Sequence, residues 1–183
     1  VGSPVANRTS ARVQHLIGLF ANTLVLRTNV SDELTFLELL RQVKEVCLGA
    51  YAHEELPFEM LVEELQPERR FSHSPLHQVL FQFQDVPPEF KAPEFKLSVI
   101  PIVLGEANVD LMLSLTESDG LLFGEFSYSQ NLFAETILRM ERQWQVLLES
   151  IVENPACPIK SLAIETEEEA AQLIESFNQE LEV

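Results

Sequence analysis

Apolar and polar positions alternate along this chain in two periods, and the switches between them mark out the elements. The most apolar run near the start is Ile17–Arg27, which ends on a single cation and carries two buried-looking polar residues, Asn22 and Thr23. Within it the pattern from Leu24 to Asn29 predicts a strand that Ser31-Asp32 ends. Val1–Asn7 reads as a strand end and a turn, punctuated by Gly2, Ser3 and Pro4, and Ala6–His15 as a polar loop carrying Arg8 and Arg12. Thr35-Phe36-Leu37-Glu38 is a capping-box signature, so a helix should follow. Phe36, Leu40, Val43, Cys47 and Ala50 recur at steps of four and three and predict one apolar stripe on it. Pro57 breaks that run, and Phe58–Leu65 predicts a short second helix ending before Pro67.

Farther along, Gln78–Gln84 alternates as a strand, with Val79, Phe81 and Phe83 expected on the core face and Leu80 interrupting a row of glutamines. Asp85–Phe95, with Pro87, Pro88 and Pro93, reads as a loop, and Lys96–Val103 as an edge strand that tolerates Pro101. Val109–Thr116 alternates cleanly, Ser118-Asp119-Gly120 signals a tight turn, and Leu122–Tyr128 should return as its hairpin partner. Ile137, Met140, Trp144, Leu147 and Ile151 mark a long amphipathic helix ending before Pro155, with Trp144 expected in the core. Glu165–Val183 reads as an acidic helix whose apolar residues are Leu173, Ile174 and Phe177.

Composition narrows what such a chain can do. At 183 residues and 46% hydrophobic content it can bury one real core. Its formal charge of −17 argues against nucleic acid and against anionic membrane surfaces, and much of the excess sits in Glu165–Glu182. No apolar run reaches the roughly 18 residues of a membrane span, and no cationic-then-apolar leader opens the sequence. Two cysteines, Cys47 and Cys157, suit a reducing, cytoplasmic setting. Asn7-Arg8-Thr9 and Asn29-Val30-Ser31 match the glycosylation pattern by chance in that setting.

Candidate chemistry is sparse. An unpaired buried amide costs about 1–3 kcal/mol, so Asn22 is either a structural latch or part of a polar site in an apolar cavity. The glutamines at 78, 82 and 84 either face water or offer neutral hydrogen bonds to a ligand. His53-Glu54-Glu55 is no metalloprotease motif, because Pro57 stands where a second histidine would, and the turn at Ser74-Pro75 separates His73 from His77; no metal site is expected. Cys47, on the helical stripe, reads as a core residue. A hydrolase reading fails for want of Gly-x-Ser-x-Gly and because Ser72, Ser74, His73 and His77 are packed too locally to form a triad.

Three segments carry a resemblance. Ile17-Gly18-Leu19-Phe20-Ala21-Asn22-Thr23-Leu24-Val25-Leu26-Arg27 resembles the Ile-Gly-x-Phe-x-Asn-Thr-x-x-x-Arg signature of condensation domains from nonribosomal peptide synthetases. His53-Glu54-Glu55-Leu56-Pro57-Phe58-Glu59 resembles that family's His-Gln-Asp-x-Pro-Phe-Glu, and Arg69-Arg70-Phe71-Ser72-His73-Ser74-Pro75-Leu76 resembles its Arg-Asp-x-Ser-Arg-Asn-Pro-Leu. All three stand in the family's order, after a similar Gly2-Ser3-Pro4-Val5-Ala6-Asn7-Arg8. The resemblance implies an α+β fold, a two-layer α/β sandwich of the chloramphenicol-acetyltransferase-like kind with a mixed sheet packed with helices.

The family's catalytic His-His-x-x-x-Asp-Gly is not in this sequence, whose four histidines are His15, His53, His73 and His77. The resemblance therefore implies most of a condensation domain's C-terminal lobe over residues 1–164, with 165–183 an acidic helical linker towards a following adenylation domain. It implies no catalytic residue here, a substrate channel lined by Asn22, Ser74 and Gln78, and structural roles for Gly18, Arg27, Pro57, Phe58 and Pro75. Arg27 would fix the strand end. The Ala6–His15 loop would floor the channel or else be a solvated surface loop, and a crossover segment near 96–103 would join the other lobe's sheet. The implied partners are peptidyl carrier proteins, whose 4′-phosphopantetheine is the only cofactor, and the missing N-terminal lobe. The implied activity is peptide-bond formation between two carrier-bound thioesters, of the ordinary condensing subtype, with the chain alone inactive. The alternative is a module that docks carriers or the other lobe without chemistry.

Overall fold

In the computed structural model, residues 1–67, 74–85, 91–92, 95–96, 109–134, 136–166 and 169–171 are described. They fall into two compact units, 1–27 with 48–132 and 28–47 with 133–183.

The first unit carries the strands β1 (Gly2–Val5), β2 (Asn22–Val25), β3 (Val79–Asp85), β4 (Lys91–Ala92), β5 (Phe95–Lys96), β6 (Leu111–Ser118) and β7 (Leu121–Tyr128). Five of them form a mixed sheet in the order β2-β1-β3-β6-β7, and β4 and β5 form a separate antiparallel pair. Strand β1 is antiparallel to β2 and parallel to β3, β3 is parallel to β6, and β6 is antiparallel to β7. The β6–β7 turn is the expected hairpin: Asp119 and Gly120 both take positive φ, 53° and 77°, the conformation of a two-residue turn whose twist matches the strands. Leu24, Leu111 and Leu113 are buried apolar residues of the five-stranded sheet.

Two strand expectations shift. The strand expected at Leu24–Asn29 runs instead over Asn22–Val25, because its partner β1 is four residues long and pairs Val5 with Asn22 and Gly2 with Val25. On β3, Val79 and Phe83 are exposed, Phe83 by 53%, rather than packed with Phe81 on a core face. The pairing of β3 with β1 rests on Gly2 and Leu80, so the later part of β3 has its ladder with β6 alone among the described strands. Pro4, which has no N–H to donate, stands two residues beyond that contact.

The helix α2 spans Phe58–Leu65, as its flanking prolines predict. Pro57 is its N-cap in an extended conformation, and Gln66 closes it in the left-handed region with its N–H donating to the Val62 carbonyl.

The second unit holds the start of α1 (Phe36–Tyr51) and all of α4 (Ile137–Glu153), with Ile137 and Leu162 buried; a short α3 (Gln130–Phe133) precedes α4. The capping box forms as read. Thr35 N–H and hydroxyl both donate to Glu38 Oε2 at 2.9 Å, and the Thr35 hydroxyl accepts from Glu38 N–H at 3.2 Å. The Thr35 backbone bond, then its hydroxyl, hold the Glu38 carboxyl below its ordinary range. Thr35→Ala is expected to cost about 1 kcal/mol in a urea melt. An unchanged midpoint would show that the box caps nothing.

The apolar stripe of α1 differs by one position. Leu40 is 51% exposed, and Leu39 is the more covered residue, in step with Phe36, Val43, Cys47 and Ala50. Trp144, expected in the core, is 37% exposed on α4. A one-turn 3₁₀ helix (Ile159–Ser161) lies against the chain before α1: Ile159 N–H donates to Leu34 O at 2.8 Å and Lys160 pairs with Glu33. The chain then runs back along α4 through Ala163 N–H to Ser150 Oγ, Gln143 to Glu165 and Arg142 to Glu169. These bonds cross residue 164, where the sequence reading divides lobe from tail. Of the strand expected at Lys96–Val103 only Lys96 is described, at the end of β5; the rest of it with the crossover, residues 69–73 of the third motif and the tail beyond 171 lie outside the described residues.

Candidate functional site

The motifs at 17–27 and 53–59 are joined by one side chain. Asn22 opens β2 and is half-buried, and its amide uses both ends. Nδ2 donates to Glu54 O at 2.9 Å and to Leu56 O at 2.7 Å, while Oδ1 accepts the Phe58 backbone N–H at 3.1 Å. Phe58 is the first residue of α2, so its N–H has no partner within the helix and needs one from outside. Pro57 supplies no donor and presets the entry angle. Asn22 is thus the latch between the first strand of one motif and the helix of the next.

Ser74 of the third motif reaches the same place through His77, the residue that follows the motif. Phe58 meets the His77 ring edge-on, with centroids 5.4 Å apart and planes at 74°. His77 Nδ1 lies 3.3 Å from Ser74 Oγ. On its other side the imidazole lies against Gly2, where a Cβ would come within 2.6 Å of His77 Cδ2 and 2.8 Å of Leu80 Cδ2. Burial lowers the His77 pKa, so the ring is neutral at pH 7. The groups gathered here are an amide, a hydroxyl and a neutral imidazole.

Other expected residues stand apart from this cluster. Gln78 precedes β3; its carbonyl accepts Asp110 N–H at 3.1 Å and its side chain is exposed. Gln82 donates to Gln84, and Gln84 Nε2 lies 3.5 Å from Thr116 Oγ1 on β6, so these two amides engage each other along one sheet face. Arg27 is exposed two residues past β2, and Pro75 is exposed beside Ser74. Gly18 is exposed, and its carbonyl accepts a bond from Arg8.

From the sequence, Gly2 and Arg8 stand only as turn or loop residues and members of a resemblance, and His77 only as a rejected metal or triad residue; none of the three is assigned a contact. Arg8 donates to three carbonyls, those of Val13, Leu16 and Gly18. His77 is weighed from the sequence only as a metal partner of His73, which lies outside the described residues, and as a triad member, and is rejected as both. The signal available for it is its place three residues after Ser74, within reach across a turn.

Comparison with known proteins places this arrangement. The family model "Condensation domain" matches residues 1–174. One of the linear gramicidin synthase polypeptides from Brevibacillus parabrevis is 41% identical over 182 residues, which cover 97% of this chain and 4% of that protein. Surfactin synthase subunit 1 from Bacillus subtilis (strain 168) is 37% identical over 179 residues, 97% of this chain and 5% of the relative. The chain therefore spans about a twentieth or less of the length of these curated relatives. Among solved structures, the X-domain from teicoplanin biosynthesis superimposes with a TM-score of 0.80 at 28% identity, over 90% of this chain and 39% of that one. A four-domain nonribosomal peptide synthetase bound to AMP and glycine gives 0.82 at 23% identity, over 91% of this chain and 14% of the other. The starter condensation domain of rhizomide synthetase gives 0.75 at 21%, over 90% and 39%. These neighbours share the α+β, chloramphenicol-acetyltransferase-like fold that the motifs imply.

Proposed function

The chain belongs to the condensation-domain family of nonribosomal peptide synthetases, and from that premise we propose that it is the second-lobe part of a peptide-bond-forming acyltransferase site. In the proposed reaction the amine of one carrier-bound aminoacyl group attacks the thioester carbonyl of another. A C–N bond forms, the C–S bond breaks, the amine gives up a proton, and the donor's pantetheine arm leaves as the thiol. Alignment of two tethered substrates supplies much of the rate, because effective molarities for well-oriented groups are about 10⁵ M or more.

The observation that carries this reading is that Asn22 of the first motif, Phe58 of the second and Ser74 of the third, the last through His77, are joined in one cluster. Asn22 and Ser74, with Gln78 just before β3, would line the channel. Gly18, Arg27, Pro57, Phe58 and Pro75 would hold its shape. The histidine motif that meets the attacking amine in the family is not in these 183 residues, so the lobe supplies wall and positioning rather than the base. Its partners are peptidyl carrier proteins bearing 4′-phosphopantetheine and the first lobe of the same domain. Two free thiols, Cys47 and Cys157, suit a cytoplasmic setting.

The test is reconstitution of a complete condensation domain, this chain joined to its first lobe, with two loaded carrier proteins. Dipeptidyl product on the acceptor carrier is expected. Gln78→Ala in that domain should lower turnover while leaving the melting midpoint within a degree or two, as an exposed substitution does. Equal turnover would remove Gln78 from the channel. Carrier binding without product would favour the docking-module reading.

A further inference from the structure

The loop that enters the Asn22 latch is itself organised by a single cation. Arg8 Nη1 donates to Val13 O and, at 2.9 Å, to Leu16 O; Nη2 donates to Gly18 O at 3.2 Å. The guanidinium carbon stands 4.3 Å from the centre of the Phe20 ring. One side chain thus gathers three carbonyls and an aromatic face from an eight-residue stretch. Two turn bonds lie inside the same loop, Val13 N–H to Ser10 O and Leu16 N–H to Val13 O.

The planar fork explains why arginine serves here. Its N–H groups diverge in one plane and reach separate acceptors, while its face stacks on a ring. A lysine ammonium could keep the charge and one or two carbonyls but could not stack as a plane. The clamp also has a visible cost and a visible direction. Ile17 and Leu19 stand almost wholly exposed while the backbone on either side of them is pinned, so apolar collapse of these side chains is not what orders the loop. The clamp ends at Phe20, two residues before the amide that binds Glu54, Leu56 and Phe58.

We infer that Arg8 is a positioning residue for the proposed condensation step: it fixes the 13–20 loop and so delivers Asn22 to its latch in the productive conformation. This rests on the function proposed above, and the experiment separates the two. In the complete condensation domain, Arg8→Gln and Arg8→Lys would be compared with the parent by hydrogen–deuterium exchange and by single-turnover condensation between two loaded carriers.

In Arg8→Gln the amides of Val13 and Leu16 should exchange about ten times faster, while those of β6 and β7 keep their protection. Turnover should fall by about tenfold at unchanged KM for the carriers, because the groups that align the arms are displaced and the docking surfaces are not. Arg8→Lys should recover part of the protection and part of the rate together. Unchanged exchange at 13 and 16 in Arg8→Gln overturns the clamp whatever the activity. Faster exchange with parental turnover overturns its part in the reaction. A parent domain that makes no dipeptide overturns the proposed function, and the catalytic half of this inference with it, while the exchange data still decide whether Arg8 orders the loop.

Discussion

Replacing Asn22 by alanine is expected to lower the stability of the protein by about 2–3 kcal/mol, which for a chain of this size moves the melting midpoint by roughly 5–10 °C. Three hydrogen bonds leave together, from Nδ2 to Glu54 O and Leu56 O and from Phe58 N–H to Oδ1. Each is worth about 0.5–1.5 kcal/mol net, and the sum is trimmed because the bond to Leu56 lies at an exposed position and water can replace it there. The loss should be local as well as global. With no acceptor for its first N–H, α2 should fray at Phe58, seen as faster amide exchange there than in the β6–β7 hairpin.

Asn22→Asp separates the latch from mere bulk. The carboxylate keeps an acceptor for Phe58 N–H but aims negative charge at two carbonyl oxygens that now face Nδ2 at 2.9 and 2.7 Å. Its folded-state pKa is therefore expected above the ordinary aspartate value of about 4. The penalty is absent below the unfolded-state pKa, grows as pH rises towards the folded one, and is complete above it. Stability relative to Asn22→Ala, measured by urea melts at each pH, should fall as pH rises from about 4 to 7. If Asn22→Asp matches wild type at neutral pH, the amide nitrogen is not bonding those carbonyls and the latch is wrong.

What the sequence discloses about this fold follows from how local each determinant is. Helix α2 is readable to the residue because Pro57 and Pro67 bracket it, and the hairpin because Asp119-Gly120 is a positive-φ pair. The Thr35–Glu38 box is readable because its partners are three residues apart. Strand β2 is not readable in this way: its limits are set by a partner about twenty residues upstream, so an apolar run from Leu24 to Asn29 overstates it at one end and omits Asn22 at the other. The exposure of Phe83 has the same origin, since alternation gives a face but not the length of the neighbouring strand. For the site, the sequence marks Asn22 as a polar residue in need of partners, and only the fold supplies Glu54, Leu56 and Phe58. It places Arg8 in a motif and a loop but not its contacts, because its partners are carbonyls and leave no trace in residue type.

The second large effect is expected from the smallest residue at the cluster. Gly2 is buried in β1, and the His77 ring occupies the space a Cβ would take, with contacts of 2.6 Å to Cδ2 and 2.8 Å to Cγ, and 2.8 Å to Leu80 Cδ2. Leu80 could rotate away, but the imidazole is held by the Phe58 edge and by Ser74 Oγ and cannot yield without losing both. Gly2→Ala is therefore expected to cost about 1–3 kcal/mol, the usual range for forcing extra volume into a packed place. In wild type the His77 pKa lies below its ordinary 6.5 through burial. The neutral ring's contribution is thus fully present above pH 6.5 and is lost as pH falls towards the folded-state value. Once alanine displaces the ring into solvent, that acid-side loss should flatten in urea melts taken from about pH 5 to 8. His77→Ala should remove the obstacle, so adding Gly2→Ala to it should cost much less than Gly2→Ala alone, a coupling of about 1 kcal/mol or more for groups in contact. Additive costs in the double variant would mean that the ring does not lie against Gly2, and the path from the third motif into the cluster would then have to run through Phe58 alone.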